Sequence, residues 1–210
     1  MTLPVAQGIG QVSGFADAVG ASQSVFRHVM NAMARPGLVE TISGTVTAPA
    51  PMTPAVAALA LTLCDHDTSV WLDSAFAADE GAANWLRFHT GAPVTDDSQK
   101  AAFAFIGRGR SLPPFNAFAS GTPDYPDRST TLVIQVDTLD EGTELVLSGP
   151  GIRGTSLLRA GALPDDFPER MRLNRVSFPL GVDLVLVCGA QIVALPRSTR
   201  VASRKASSCT

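Results

Sequence analysis

The stretch Leu145-Val-Leu-Ser-Gly-Pro-Gly-Ile-Arg-Gly154 constrains this chain more than any other. It opens as an apolar β-type run and breaks into glycine and proline with an arginine behind. Gly149, Gly151 and Gly154 stand at G-x-G-x-x-G spacing. That spacing binds a dinucleotide only where a strand enters the loop and a helix leaves it, because the helix N-terminus holds the pyrophosphate. The strand is present in the pattern, but the helix is not. Thr155-Ser-Leu-Leu-Arg-Ala160 reaches only to Gly161 and reads as a further strand, and Pro150 removes an N–H from the loop. Two readings stand. One is a Gly/Pro turn between paired strands. The other is a backbone nest for an anion, with Arg153 beside it.

The flanking segments set the fold class. Thr130–Asp137 and Thr143–Ser148 are β-type runs on either side of the turn Leu139–Gly142, and are expected to pair. Val182–Cys188 and Gln191–Leu195 around Gly189 form a hairpin. Short strands are also expected at Leu38–Ile42, Ser69–Asp73 and Ala101–Ile106. Helices fall between them. One starts near Ser22 and carries Val25, Phe26, Val29, Met30 and Met33 on one face, ending at Arg35-Pro-Gly37. His28 beside that stripe reads as a packed or solvated residue, since no second histidine follows at helical spacing. A second helix starts with Thr53 as cap and Pro54 in the first turn, and Ala55–Cys64 is apolar nearly all round, so it is buried. A third covers Ala78–Thr90, with Asp79 and Glu80 at its positive end and Trp85, Leu86 and His89 inward. A fourth lies in Pro164–Arg175, with Phe167, Met171 and Leu173 as its contacts.

Helices mixed with strands and hairpins give a three-layer α/β/α domain with a mixed sheet. Its expected organisation is an N-terminal arm over 1–14, one domain over 15–201 and a flexible tail over 202–210. The 210 residues suffice for one such core. Between Gly107 and Ser129 the chain has no periodicity, which marks a functional or packed loop. Arg108 and Arg110 there are weighed as phosphate ligands against a partner carboxylate or solvent.

Several function classes fall away. A net charge of −3 provides no field for nucleic acid or an anionic membrane. The apolar run Ala55–Cys64 is far too short to span a bilayer. Low charge with a mean hydropathy of +0.18 hints at a surface buried against another subunit. Three cysteines, Cys64, Cys188 and Cys209, are odd in number and far apart, so the expected location is a reducing cytoplasm. Cys64-Asp-His-Asp67 holds four metal-type donors, but adjacent residues rarely converge on one ion, and a polar turn is expected instead. Neither a P-loop nor a G-x-S-x-G elbow nor H-E-x-x-H occurs. The only lysines are Lys100 and Lys205, neither placed like a Schiff-base lysine. No cofactor, metal or catalytic residue is expected.

Four segments together resemble a known family. Phe26-Arg-His-Val-Met-Asn-Ala-Met-Ala-Arg-Pro-Gly37 is similar to its N-terminal motif. Leu147–Ile152, Phe178-Pro-Leu-Gly-Val-Asp-Leu184 and Ala194-Leu-Pro-Arg-Ser-Thr-Arg200 are similar to three C-terminal motifs in the same order. The family is the H subunit of the bacterial carbon–phosphorus lyase core complex, and the resemblance covers about residues 15 to 201. It implies a fold like that of pyridoxal-phosphate-dependent transferases without their cofactor. It implies a homodimer in isolation, joined to G, I and J subunits in a core assembly and linked in function to an L subunit. With G, I and L, the H subunit supports replacement of adenine on a nucleoside triphosphate by a phosphonate, before the J subunit breaks the carbon–phosphorus bond. The resemblance carries over no catalytic residue, and the first reading is a structural subunit. The ligand-binding alternative uses Ser148, Gly149, Gly151 and Arg153 with Arg197, whose other expected partner is Asp183 or the sheet edge.

Overall fold

The computed structural model describes residues 14–43, 46–78 and 80–204. α1 (Ala18–Ala34) starts where the Asp17 carboxylate accepts from the Gly20 N–H at 3.1 Å. Its buried positions are Val25, Val29 and Ala32, while Phe26 and Met30 are 49% and 52% exposed. The expected stripe therefore holds at Val25 and Val29, with Met33 packed on the same core, and is corrected at Phe26 and Met30. A helix apolar over more than half its circumference contains two candidate stripes, and only the contact with the sheet decides between them.

β1 (Glu40–Thr41) follows, then α2 (Pro54–Leu63), buried continuously from Ala55 to Ala60. Thr53 occupies the N-cap position of α2, but its hydroxyl makes no capping bond. β2 (Val70–Leu72) leads into α3 (Ser74–Ala77) and α4 (Glu80–Thr90), two helices where one was expected. Asp79, placed at that helix start, lies outside the described residues. β3 (Phe103–Ile106) precedes the aperiodic loop, which packs through two short 3-10 turns and buries Leu112, Phe115 and Phe118. The rest is β4 (Thr131–Gln135), β5 (Thr143–Ser148), β6 (Ser156–Ala160), α5 (Phe167–Val176), β7 (Asp183–Cys188), β8 (Gln191–Leu195) and β9 (Arg200–Ser203). In α5, Phe167 and Met171 are buried as expected, but Leu173 is 53% exposed.

The main sheet has the order β1-β8-β7-β4-β3-β2. β2, β3, β4 and β7 run parallel, and β8 and β1 are added antiparallel. A separate antiparallel sheet has the order β6-β5-β9. This overturns the expected β4–β5 pair, since the two strands belong to different sheets. It also extends the ordered chain through Ser203, so the first residues of the expected tail belong to β9. Lys205–Thr210 lie outside the described residues.

Side chains alternate strictly across the main sheet. Val133, Val185 and Ile192 pack on one face with α1, α2 and α4. Leu132, Leu184 and Val193 pack on the other with the three-stranded sheet, α5 and the 112–118 loop. The molecule is thus an α/β protein with a mixed sheet. Its second outer layer combines a helix with a small sheet, where helices alone were expected.

Candidate functional site

Open parallel sheets customarily bind ligands beyond the carboxyl ends of their strands. Here β2 ends at Asp73, which is 4% exposed. One carboxylate oxygen accepts from the Ala75 and Phe76 N–H groups, both at 3.1 Å, capping α3. The other accepts from the Gly107 N–H at 3.0 Å and so ties the end of β2 to the end of β3. β4 ends at Gln135, 9% exposed. Its Oε1 accepts from the Thr53 N–H at 2.8 Å, and its Nε2 donates to the Pro51 and Gly107 carbonyls at 3.1 and 3.3 Å. The start of α2 is thereby fastened to the main sheet by the amide of Gln135, where the sequence suggested the Thr53 hydroxyl. A side chain at Gly109 would come within 2.7 Å of the Ala162 carbonyl oxygen, so the backbone itself closes this end.

The amino ends of the same strands carry Arg197. Its Nε donates to both Asp183 oxygens at 3.2 Å, and Nη2 reaches Asp183 and the Ser129 hydroxyl. Nη1 donates to the Pro126 and Pro179 carbonyls at 2.8 and 3.1 Å. The Arg197 N–H donates to Asp183 as well, at 2.7 Å. Of the two partners anticipated for Arg197, the structure selects Asp183. The planar fork matches a carboxylate and the loops around it, and every donor of the guanidinium is engaged.

The glycine-rich loop is a turn between antiparallel β5 and β6, as the first of its two readings holds. The Ile152 N–H donates to the Gly149 carbonyl at 3.1 Å. Gly151, at φ +80°, lies so close to the end of α1 that a Cβ would sit 2.2 Å from the Ala34 carbonyl oxygen. Gly37, in turn, faces Leu147, with 2.6 Å between its ideal Cβ position and Leu147 Cδ1. Two of the four resemblance segments therefore pack on each other, and their glycines allow that approach. Ser148 pairs with Arg200 of β9, and Gly149 lies against Ser198 and Thr199. The loop and the Arg197 backbone are near in the fold. The Arg197 guanidinium is bonded to Asp183, Ser129, Pro126 and Pro179, none of which belongs to the loop. Arg153 is exposed, and no ion pair among the described residues includes it.

Arg108 and Arg110 are exposed, and other candidates are held by local bonds. In the Cys64–Asp67 turn, the Asp65 carboxylate accepts from Thr68 Oγ1 at 2.6 Å and from the Asp67 N–H at 3.0 Å. Those bonds, the Thr68 hydroxyl first, hold it below the usual aspartate range. Burial, with Asp65 alongside, pushes the Cys64 thiol up to about 12. Among the described residues no three His, Cys, Asp or Glu side chains are grouped to hold a metal ion. His28 bonds Glu40 through Nδ1 at 2.7 Å. Lys100 is 77% exposed and pairs with Asp97 at 3.2 Å. Asp73 and Gln135, the polar side chains that close the carboxyl end, escaped the sequence reading. Asp73-Ser74 is a helix-cap pair, and Gln135 is a lone amide in an apolar run, so both carried a signal.

Residues 13–202 match the model of a family described as bacterial phosphonate metabolism protein (PhnH). The chain is 46% identical over 187 residues to the alpha-D-ribose 1-methylphosphonate 5-triphosphate synthase subunit PhnH of Rhizobium meliloti (strain 1021), covering 89% of this chain and 93% of that protein. It is 38% identical over 82 residues to a putative C-P lyase subunit protein, HtxG, of Stutzerimonas stutzeri, covering 39% of this chain and 42% of that one. With a family model spanning nearly all of the described residues, the chain belongs to the PhnH family of bacterial phosphonate metabolism proteins.

Proposed function

We propose that this chain is a structural subunit of a carbon–phosphorus lyase assembly, required with partner subunits to transfer the ribose triphosphate moiety of ATP to an alkylphosphonate with release of adenine. The observation that carries this reading is the carboxyl end of the parallel strands. There Asp73 and Gln135 bond the chain's own backbone, which suits a scaffold whose partners supply the chemistry. The proposed partners are G, I and J subunits in the core, with a functional link to an L subunit and a homodimer when the chain is alone. The same reading gives it a cytoplasmic setting. No described helix is long and apolar enough to cross a membrane. Kinship with the pyridoxal-phosphate transferase fold, without the cofactor, belongs to the same proposal.

A second reading gives the 148–154 loop a phosphate or phosphonate group. The observation in its favour is exposed Arg153 beside three glycines at positive φ. It is the weaker of the two, because Arg197 has no donor left for a ligand and Gly151 is turned against Ala34. Calorimetry with ATP and with methylphosphonate, on the wild type and on Arg153→Ala, decides it. Heat that disappears in the variant supports the second reading. Co-expression with the other subunits tests the first. The tagged chain is expected to bring them through size exclusion as one species, and its elution alone would defeat the proposal.

A further inference from the structure

The register of the sheet β6-β5-β9 sorts its side chains onto two faces. Leu145, Leu147, Leu158 and Val201 point into the core and are buried. The outer face therefore carries an apolar row across its middle, Leu157–Val146–Ala202. Leu157 is 55% exposed, Ala202 is exposed and Val146 is half-buried. On one side of that row Glu144 lies between Arg159 and Arg204 and bonds both, at 2.9 and 2.8 Å. On the other side Arg200 stands opposite Ser148.

The two flanks differ in charge. Glu144 is the only acid in the three strands, and it already meets two guanidinium groups. Asp140 and Glu141 lie in the turn at that same end. At the Arg200 end the segments that meet are 29–39, 148–162 and 196–204, and none of them contains aspartate or glutamate. Arg200 and Arg153 are exposed there, and neither side chain has a hydrogen bond or ion pair among the described residues. Arg35, also exposed, ends α1 where that helix packs on Gly151. In a chain of net charge −3, one end of one sheet thus holds cations without counter-charges. Guanidinium groups take carboxylates or phosphates.

Shape and the apolar row decide between those anions. A small phosphate ligand is held in a concavity. The grooves of about 370 and 620 Å³ lie off this face, one beside Val201 and Ser203 on the inward side of β9 and one between α5 and the 112–120 loop. A phosphate would also leave the Leu157 row in water, whereas a polypeptide with carboxylates beside an apolar side chain covers both features. A second copy turned end for end on this face would set Arg200 against the Arg159–Glu144–Arg204 row, which has two arginines for one acid. Like charges would meet in that self-contact, which is unfavourable.

We infer that this face docks an acidic segment of another chain of the phosphonate-processing assembly, with its carboxylates on Arg200 and Arg153 and an apolar side chain on Leu157, Val146 and Ala202. The inference rests on the subunit reading above. The test is recovery of the co-expressed subunits by the tagged full-length chain, for wild type, Arg200→Glu, Arg200→Gln and Arg108→Glu, the last a control at an exposed arginine beyond β3. Arg200→Glu is expected to lose recovery by about tenfold or more, Arg200→Gln less, and the control not at all. Circular dichroism and the melting midpoint stay as in wild type, because the Arg200 side chain has no bond to lose. The gap between wild type and Arg200→Glu is expected to narrow as salt rises from about 0.1 to about 1 M, where the screening length falls from about 10 to about 3 Å. Wild-type recovery by Arg200→Glu, equal loss in the control, or a gap that persists unchanged in high salt overturns the inference and leaves the subunit reading intact. A wild-type chain that recovers no partner overturns both. If Arg200→Glu keeps its partners but turns from dimer to monomer in size exclusion, the face belongs to a second copy. If the isolated wild type binds ATP in calorimetry and Arg200→Glu does not, it belongs to a phosphate ligand. Either result overturns the inference.

Discussion

The two ends of the parallel strands are built on opposite plans. At the carboxyl end, where α/β sheets usually hold a ligand, an aspartate and an amide turn inward and satisfy the backbone of α3, β3 and the start of α2. At the amino end a single arginine ties together a strand carboxylate and two loops, and beside that knot the surface opens into an apolar groove. The contrast teaches that the polar side chains at the usual ligand end are spent on the chain's own backbone. The open surface is displaced to the end where the architecture seldom places a reaction.

The largest expected effect is at the knot. Arg197→Ala takes the guanidinium from the Asp183 carboxylate, which keeps only the backbone N–H of residue 197, and leaves the Ser129 hydroxyl and two carbonyls without that donor. Removing one partner of a mostly buried ion pair costs about 3–5 kcal/mol. In a domain of this size each kcal/mol lowers the melting midpoint by about 2–4 °C. Arg197→Lys should recover little, because three donors on one nitrogen cannot span Asp183, Pro126 and Pro179 together. A small change in either variant would mean that the amino end is not held as described.

Gln135→Glu tests the closed end. The new carboxylate can still accept from the Thr53 N–H, but it turns an oxygen toward the Pro51 and Gly107 carbonyls, where an N–H₂ now donates. The loss is expected to be about 2–3 kcal/mol by denaturant titration, because a charged group is left buried against acceptors. A neutral result would show that the carboxyl end tolerates charge and is open to ligand chemistry.

How much of this was legible depends on what each residue has to do. The β7–β8 hairpin could be read because Gly189 reverses the chain between two runs whose register is local. β4 and β5 were paired in error because they are sequence neighbours around a turn. The difference between them was nonetheless written in their patterns. Leu132–Gln135 is buried on every residue, as a strand covered on both faces must be, whereas β5 alternates as in a sheet with one face to solvent. Phe26 and Met30 could not be oriented, since the helix offers apolar residues to both sides and the packing partner is distant in sequence. At the candidate site, the glycine turn was readable from Pro150 and the missing helix. The choice between Asp183 and a ligand for Arg197 was not, because it depends on loops at Pro126 and Pro179 meeting in space.

Gly151→Ala sharpens the reading of the glycine loop as a packing device. A methyl group would meet the Ala34 carbonyl oxygen, at a φ that L side chains rarely adopt. The expected cost is about 2 kcal/mol, measured in the absence of any ligand, where a purely ligand-binding glycine would show no loss. The smallest effect belongs to Glu144, which joins β5 to Arg159 of β6 at 2.9 Å and to Arg204 at 2.8 Å. The Arg159 bond first, then Arg204, holds its carboxyl below the usual glutamate range. A depressed folded-state value contributes stability above the ordinary glutamate pKa of about 4.3, and that contribution is lost as pH falls through the folded value. Glu144→Gln should therefore lower the midpoint slightly at neutral pH, less in high salt, with the difference from wild type closing in acid.

The central claim, that this chain contributes shape while other chains make and break bonds, is tested most directly by incubating the purified chain alone with ATP and methylphosphonate and following free adenine by chromatography. The account predicts no adenine above the level without protein, and adenine release when the partner subunits are added. Sustained release by the chain alone would contradict it.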